Sequence, residues 1–144
     1  MTTFRWGILG TGAIATQFTE GLDAAEGEAA KARGNALFKE GKFPGAVKEY
    51  TDAIARDPAN PVYYANRGAA YTKLMDFVKA KRDCEKALEL NPRYVKAFSR
   101  KGAIEFFMKE YHKAMTSYQR GIDISPDDAE CNAGLQRTVA RIQQ

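Results

Sequence analysis

Apolar residues between positions 27 and 128 recur at steps of three and four, as in Phe43, Val47, Tyr50 and Ile54. That spacing gathers them on one face of a helix. Short polar segments such as Glu40-Gly41-Lys42 and Met75-Asp76 interrupt the pattern and predict turns between paired helices. Pro58, Pro92 and Pro126, preceded by Asp57, Asn91 and Ser125, close the second helix of each pair. Proline cannot continue the backbone ladder, and it restricts the residue before it. The three prolines lie 34 residues apart, and so do Gly34, Gly68 and Gly102, and Ala46, Ala80 and Ala114. Phe43, Phe77 and Tyr111 keep the same step, as do Ala53, Ala87 and Gly121. Five columns in one register exclude coincidence.

Each column has a physical task. Glycine in the first helix and alanine in the second let two antiparallel helices approach closely. The aromatic that opens the second helix plugs the gap between the two. A period of 34 with these signature residues resembles the tetratricopeptide repeat and covers roughly four-fifths of the chain. The resemblance implies an all-α fold, a right-handed superhelix of helix pairs, with repeats at 27–60, 61–94 and 95–128. Residues 129–144 place Cys131, Leu135, Val139 and Ile142 on one helical face, with Arg137, Arg141 and the glutamines turned to water. They are expected to form a capping helix centred on Leu135.

Residues 1–26 fall outside the period. Phe4-Arg5-Trp6-Gly7-Ile8-Leu9 reads as a short strand, and Gly10-Thr11-Gly12-Ala13-Ile14-Ala15 as a glycine turn into a helix. This pair resembles the opening of NAD(P)-dependent sugar oxidoreductases, where a pyrophosphate sits on the helix N-terminus. A dinucleotide crevice needs a parallel sheet, however, and neither a second strand nor an acidic ribose partner follows. A lone strand cannot satisfy its own edges. Ala13-Ile14-Ala15 also mimics a signal-peptide cleavage site, behind an apolar stretch that is short and rich in Gly and Thr. The segment is expected to be a foreign, appended leader that binds no cofactor and that can instead extend the first helix.

Composition narrows the chemistry. With 144 residues, 44% of them hydrophobic, the chain can bury one core. Lys and Arg number 22 against 18 Asp and Glu. The resulting charge of +4 suits an acidic partner and is too small to argue for nucleic acid alone. Cys84 and Cys131 stand far apart without a CxxC motif, which argues against a disulfide scaffold or a zinc site and for buried thiols in a reducing cytosol. The single histidine, His112, excludes any mechanism needing a His pair. No nucleophile–base pair is evident, so neither catalytic residues, a metal site nor an enzyme activity is expected. No apolar run reaches the roughly 18 residues of a membrane span.

The distinctive chemistry lies on the first helices. Lys31 and Asn35 are four apart, as are Lys96 and Arg100, and Asn66 sits on the equivalent helix of the second repeat. Asparagine is a poor helix-interior residue, so recognition supplies a reason for it. The segments Lys31-Ala32-Arg33-Gly34-Asn35, Tyr64-Ala65-Asn66-Arg67 and Lys96-Ala97-Phe98-Ser99-Arg100-Lys101 resemble the carboxylate clamp of chaperone-binding tetratricopeptide domains. The resemblance implies that Lys31, Asn35 and Asn66 hold the terminal carboxylate of a peptide ending Glu-Glu-Val-Asp. Lys96 would hold the last aspartate side chain, and Arg100 would reach further along. Phe38, Ala69, Thr72 and Lys73 could meet the valine and upstream residues, or could be ordinary packing or surface.

Tyr71-Thr72-Lys73-Leu74, Arg82-Asp83-Cys84-Glu85 and Phe106-Phe107-Met108-Lys109-Glu110-Tyr111 narrow the resemblance to the stress-inducible co-chaperones of the Hop and Sti family, in particular their third tetratricopeptide domain. The implied partners are the tails of heat-shock 70 and heat-shock 90 chaperones in the cytoplasm, with no nucleic acid and no membrane. The alternatives are a module of another clamp-type co-chaperone, a general interaction scaffold, a basic nucleic-acid-binding solenoid and, most remotely, an oxidoreductase fragment.

Overall fold

The computed structural model describes residues 2–144, with side chains from residue 21 onward. Seven helices follow one another: α1 (Thr2–Lys39), α2 (Phe43–Arg56), α3 (Pro61–Lys73), α4 (Phe77–Leu90), α5 (Val95–Phe107), α6 (Tyr111–Ile124) and α7 (Ala129–Ile142). The heaviest packing is within the pairs α1–α2, α3–α4 and α5–α6, and each pair then stacks on the next through α2–α3, α4–α5 and α6–α7. α3 also touches α5, and α5 touches α7. The first helices of successive pairs therefore share one layer of an all-α superhelix, and α7 continues that layer.

The local chemistry explains the boundaries. Asp57, Asn91 and Ser125 end α2, α4 and α6 in extended backbone, as residues before proline must. Asn60, Asp76 and Asp128 cap α3, α4 and α7 by accepting from the backbone N–H of Val62, Lys79 and Cys131. The turn within each pair passes through one left-handed residue: Gly41 (φ 78°), Met75 (φ 61°) and Lys109 (φ 64°), again 34 apart. Glycine adopts that conformation freely, whereas Met75 and Lys109 carry its strain.

The close-approach column is tight. A Cβ added to Gly34 would lie 2.6 Å from the ring of Tyr50, and one added to Gly102 would lie 2.7 Å from Tyr118. At Gly68 the partner is the smaller Cys84, and the nearest atoms are 3.2 Å away. Phe43 meets Phe38 edge-on and Tyr111 meets Phe106 edge-on, so in the first and third pairs the aromatic fills the gap between paired helices, whereas Phe77 stacks on Phe107 of α5 and joins the second pair to the third. Cys84 and Cys131 are free and buried, and burial pushes both thiols up to about 12.

Two expectations need correction, the leader strand and the centre of the α7 stripe. The strand at Phe4–Leu9 does not form: these residues run within α1, continuous with the first helix, and no strand exists among the described residues. Without a second strand its edges had no partner, and a helix satisfies its backbone internally. The side chains of the glycine-rich fingerprint at 10–15 lie outside the described residues. The packed part of α1 also begins earlier than residue 27, because Arg56 pairs with Asp23 at 3.3 Å and Glu26 at 2.6 Å. In α7, the fully buried positions are Cys131, Gly134 and Thr138, not Leu135, which is only partly buried. Gly134 lets α7 settle against the ring of Tyr118, rotating the helix relative to the stripe read from apolar residues alone.

Candidate functional site

The shared layer of α1, α3 and α5 is concave, and at its centre lies a cavity of about 320 Å³. Lys31 and Asn35 enter it from α1, Asn66 from α3, and Lys96 and Arg100 from α5. All five residues singled out in the sequence line this one space. Phe38 and Ala69 line it as well. Thr72 and Lys73 do not. The Thr72 hydroxyl donates back to the Gly68 carbonyl at 2.8 Å, and Lys73 is exposed at the end of α3.

Arg100 and the Asn35 amide rest on neutral hydrogen-bonding groups, whereas Lys31 rests on a carboxylate. Tyr50 donates from its hydroxyl to Asn35 Oδ1 at 2.6 Å. Arg100 Nη1 donates to Asn66 Oδ1 at 3.3 Å, linking α5 to α3. With both amide oxygens engaged, the amide N–H groups of Asn35 and Asn66 remain as donors. Lys31 pairs with Glu28 at 2.7 Å, and the other oxygen of Glu28 accepts from Tyr63 at 3.0 Å. These two contacts hold the Glu28 carboxyl below the usual carboxylate range. Burial and the nearby Glu28 push the Tyr63 phenol up to about 12. Among the described residues no carboxylate lines the cavity, and neither Lys96 nor Arg100 forms an ion pair.

Aromatic side chains supply the walls. Tyr50 and Tyr94 both line the cavity, and burial raises both phenols. The charge of Arg100 works against that rise in each, and Lys31 does so in Tyr94, so the field of the cations converges from α1 and α5 on the same space. Tyr50, Val62 and Tyr94 were not singled out in the sequence. Tyr50 belongs to an obvious packing column, and Tyr94 sits in the turn before α5. Only the position of Tyr50 one helix across from Asn35 could have marked it. An apolar-walled space with three cations, two amide donors and no internal acid suits a compact anion bearing more than one carboxylate.

Comparison with known sequences and structures follows the same lines. The family model described as "TPR repeat" matches residues 34–74, and models described as "Tetratricopeptide repeat" match 61–94 and 95–128. The Hsp70-Hsp90 organizing protein 2 of Arabidopsis thaliana is 45% identical over 125 residues, 87% of this chain. The chain spans only 22% of that relative's length. Among solved structures, the first TPR of Spaghetti (RPAP3) bound to the HSP90 peptide SRMEEVD superposes with a TM-score of 0.81 at 34% identity, covering 84% of this chain and 98% of that one. The TPR2B domain in its pHsp70 complex, from yeast Sti1, gives 0.77 at 31% identity over 81% of this chain and 98% of that one.

Proposed function

Since the chain belongs to the tetratricopeptide-repeat family, we propose that it is the peptide-binding module of a co-chaperone, capturing the C-terminal Glu-Glu-Val-Asp tail of heat-shock 70 and heat-shock 90 chaperones. The observation that carries this reading is the convergence of Lys31, Asn35, Asn66, Lys96 and Arg100 on one cavity whose lining contains no acid. Of the similar solved structures, one is bound to the HSP90 peptide SRMEEVD and one is a pHsp70 complex.

Each residue has a role in this reading. Lys31 and the amide N–H groups of Asn35 and Asn66 bind the terminal carboxylate. Lys96 binds the last aspartate side chain, and Arg100, steadied by Asn66, reaches the next acidic residue. Lys31 exchanges its Glu28 partner for the incoming carboxylate. Capture of a chain-terminal carboxylate by several fixed donors is a recognition mode with affinity and a built-in end-reading specificity. Residues 27–128 form the binding unit, 129–144 cap it, and 1–26 take no part in binding. The module performs no chemistry of its own. Its free, buried cysteines fit a reducing cytoplasm, and no helix among the described residues is long and apolar enough to cross a membrane. The likeness to yeast TPR2B supports assignment to the third such domain of a Hop or Sti adaptor.

Calorimetric titration with free and C-terminally amidated Glu-Glu-Val-Asp peptides tests the reading. The free acid should bind and the amide should not. Lys31→Ala should lose about 1.5–3 kcal/mol, tenfold or more in affinity, because a charge-assisted bond disappears. Amidation combined with Lys31→Ala should cost less than the sum of the two changes, since both disable one contact. Equal affinity for the two peptides would refute the proposal.

A further inference from the structure

The concave layer does not stop at α5. A second cavity of about 310 Å³ lies between α5 and α7, lined by Ser99, Arg100, Tyr118, Glu130 and Arg137 among others. It shares Arg100 with the first cavity, so the two are neighbours along the same layer of first helices. Arg137 enters this cavity because of where α7 sits. It stands 34 positions after Ala103 and 68 after Ala69, both of which line the concave face. α7 thus presents to that face the register of a first helix, with arginine where the two preceding helices carry alanine.

The Arg137 guanidinium lies 5.4 Å from the centre of the Phe106 ring, which steadies it without neutralising it. It also stands beside the buried Tyr118 phenol and opposes the rise that burial causes there. Among the described residues Arg137 forms no ion pair. Among the described residues Glu130 is the one carboxylate that lines the space, and its Oε2 accepts from Ser99 Oγ at 3.1 Å. Two guanidinium groups therefore share the cavity with one carboxylate, and neither is paired with it.

We infer that Arg137, next along the layer from Arg100, forms a second acid-binding subsite, which takes an acidic side chain of the same peptide several residues upstream of its C-terminus. This inference rests on the peptide-binding reading above. Neighbouring helices pack about 8–10 Å apart, and an extended chain advances about 3.3 Å per residue. One helix step therefore corresponds to roughly three residues, so a peptide anchored in the first cavity brings the residues before its Glu-Glu-Val-Asp end to Arg137.

The test compares three peptides, all with a free C-terminus: Glu-Glu-Val-Asp, and heptapeptides in which either three glutamates or three alanines precede it. Wild-type protein should bind the glutamate heptapeptide about three- to tenfold more tightly than the alanine one, as an Arg–carboxylate contact at a partly open site allows. Arg137→Gln, which keeps a side chain over Phe106, should erase that preference and leave tetrapeptide affinity unchanged. Arg137→Lys should retain part of it, and Glu130→Gln should enlarge it. Absence of the preference in wild type, or its persistence in Arg137→Gln, overturns the subsite while leaving the first cavity's role intact. A tetrapeptide that binds equally well when amidated overturns the clamp and the subsite together. Thermal melting of each variant separates loss of contact from loss of fold.

Discussion

The first helices carry two stripes of positive charge, and they are treated in opposite ways. One stripe is Arg33 and Arg67, 34 residues apart and turned toward the second helices. Arg33 Nε donates to Glu49 at 2.9 Å, and Arg67 makes a two-pronged contact with Asp83 at 2.8 Å for each bond. The other stripe is Lys31, Lys96 and Arg100 on the concave side. There the supports of Arg100 and of the amides are neutral, and the single acid at the margin is Glu28, more than half exposed. The same chemical groups thus hold helices together where a carboxylate is supplied, and stay available to a ligand where it is withheld. Repeat three breaks the first pattern: Lys101 faces Ser117 instead of an acid, and Ser117 donates to the buried Glu105, which pairs with Lys81.

The comparison can be broken most forcefully on the fold side. Arg67→Ala leaves the Asp83 carboxylate, 7% exposed, without its partner, and should cost about 3–5 kcal/mol in chemical denaturation. Peptide affinity of the remaining folded protein should hold. A large affinity loss at constant fold would show that the two stripes are not separate.

Gly34→Ala attacks the junction between them. Its Cβ would press on Tyr50, the residue that orients Asn35, so stability should fall by about 1–3 kcal/mol and affinity should fall with it. Stability loss alone would free Asn35 of any dependence on that packing. Tyr50→Phe is gentler. It removes only the hydroxyl and should weaken peptide binding by about three- to tenfold while costing about 1 kcal/mol in stability, the scale of one hydrogen bond. Calorimetry beside a denaturation curve measures both effects.

Met75→Gly is the smallest change and belongs to neither stripe. Met75 is exposed and left-handed, so relief of strain should exceed the added chain entropy and raise stability by roughly 0.5 kcal/mol, without affecting binding. Gly41→Ala, at the equivalent turn, should move stability the other way.

The fold was legible because each column answers a demand that few residues can meet. Only a residue without Cβ tolerates an aromatic ring at 2.6 Å, and only proline stops a helix so sharply. The five cavity-lining polar residues were legible because resemblance supplied their spacing and because asparagine within a helix asks for an explanation. Tyr50 and Arg137 were not. Tyr50 looked like packing and is packing, with a hydroxyl that has a second use. Arg137 was read as turned to water and is exposed; its place along the cavity beside Tyr118 was hidden because Gly134 and Thr138, neither of them a strongly apolar residue, mark the side of α7 that is buried. The leader misled for a related reason: a strand motif is meaningful only where partners exist, and partners are not visible in a local stretch.

The Arg100–Asn66 bond and the three-helix lining of the first cavity have a consequence for cooperativity. In a stacked array each unit gains stability from itself and its immediate neighbours, and units two apart are nearly independent. A ligand that touches α1, α3 and α5 at once ties the first unit directly to the third, supplying a coupling the bare chain lacks. Occupancy at a hundred times Kd would add about 2.7 kcal/mol to the folded state as a whole. The terminal units would then cease to open on their own, and the array would melt as one body, a change that hydrogen exchange at α1 and α6 would register before any shift in overall shape.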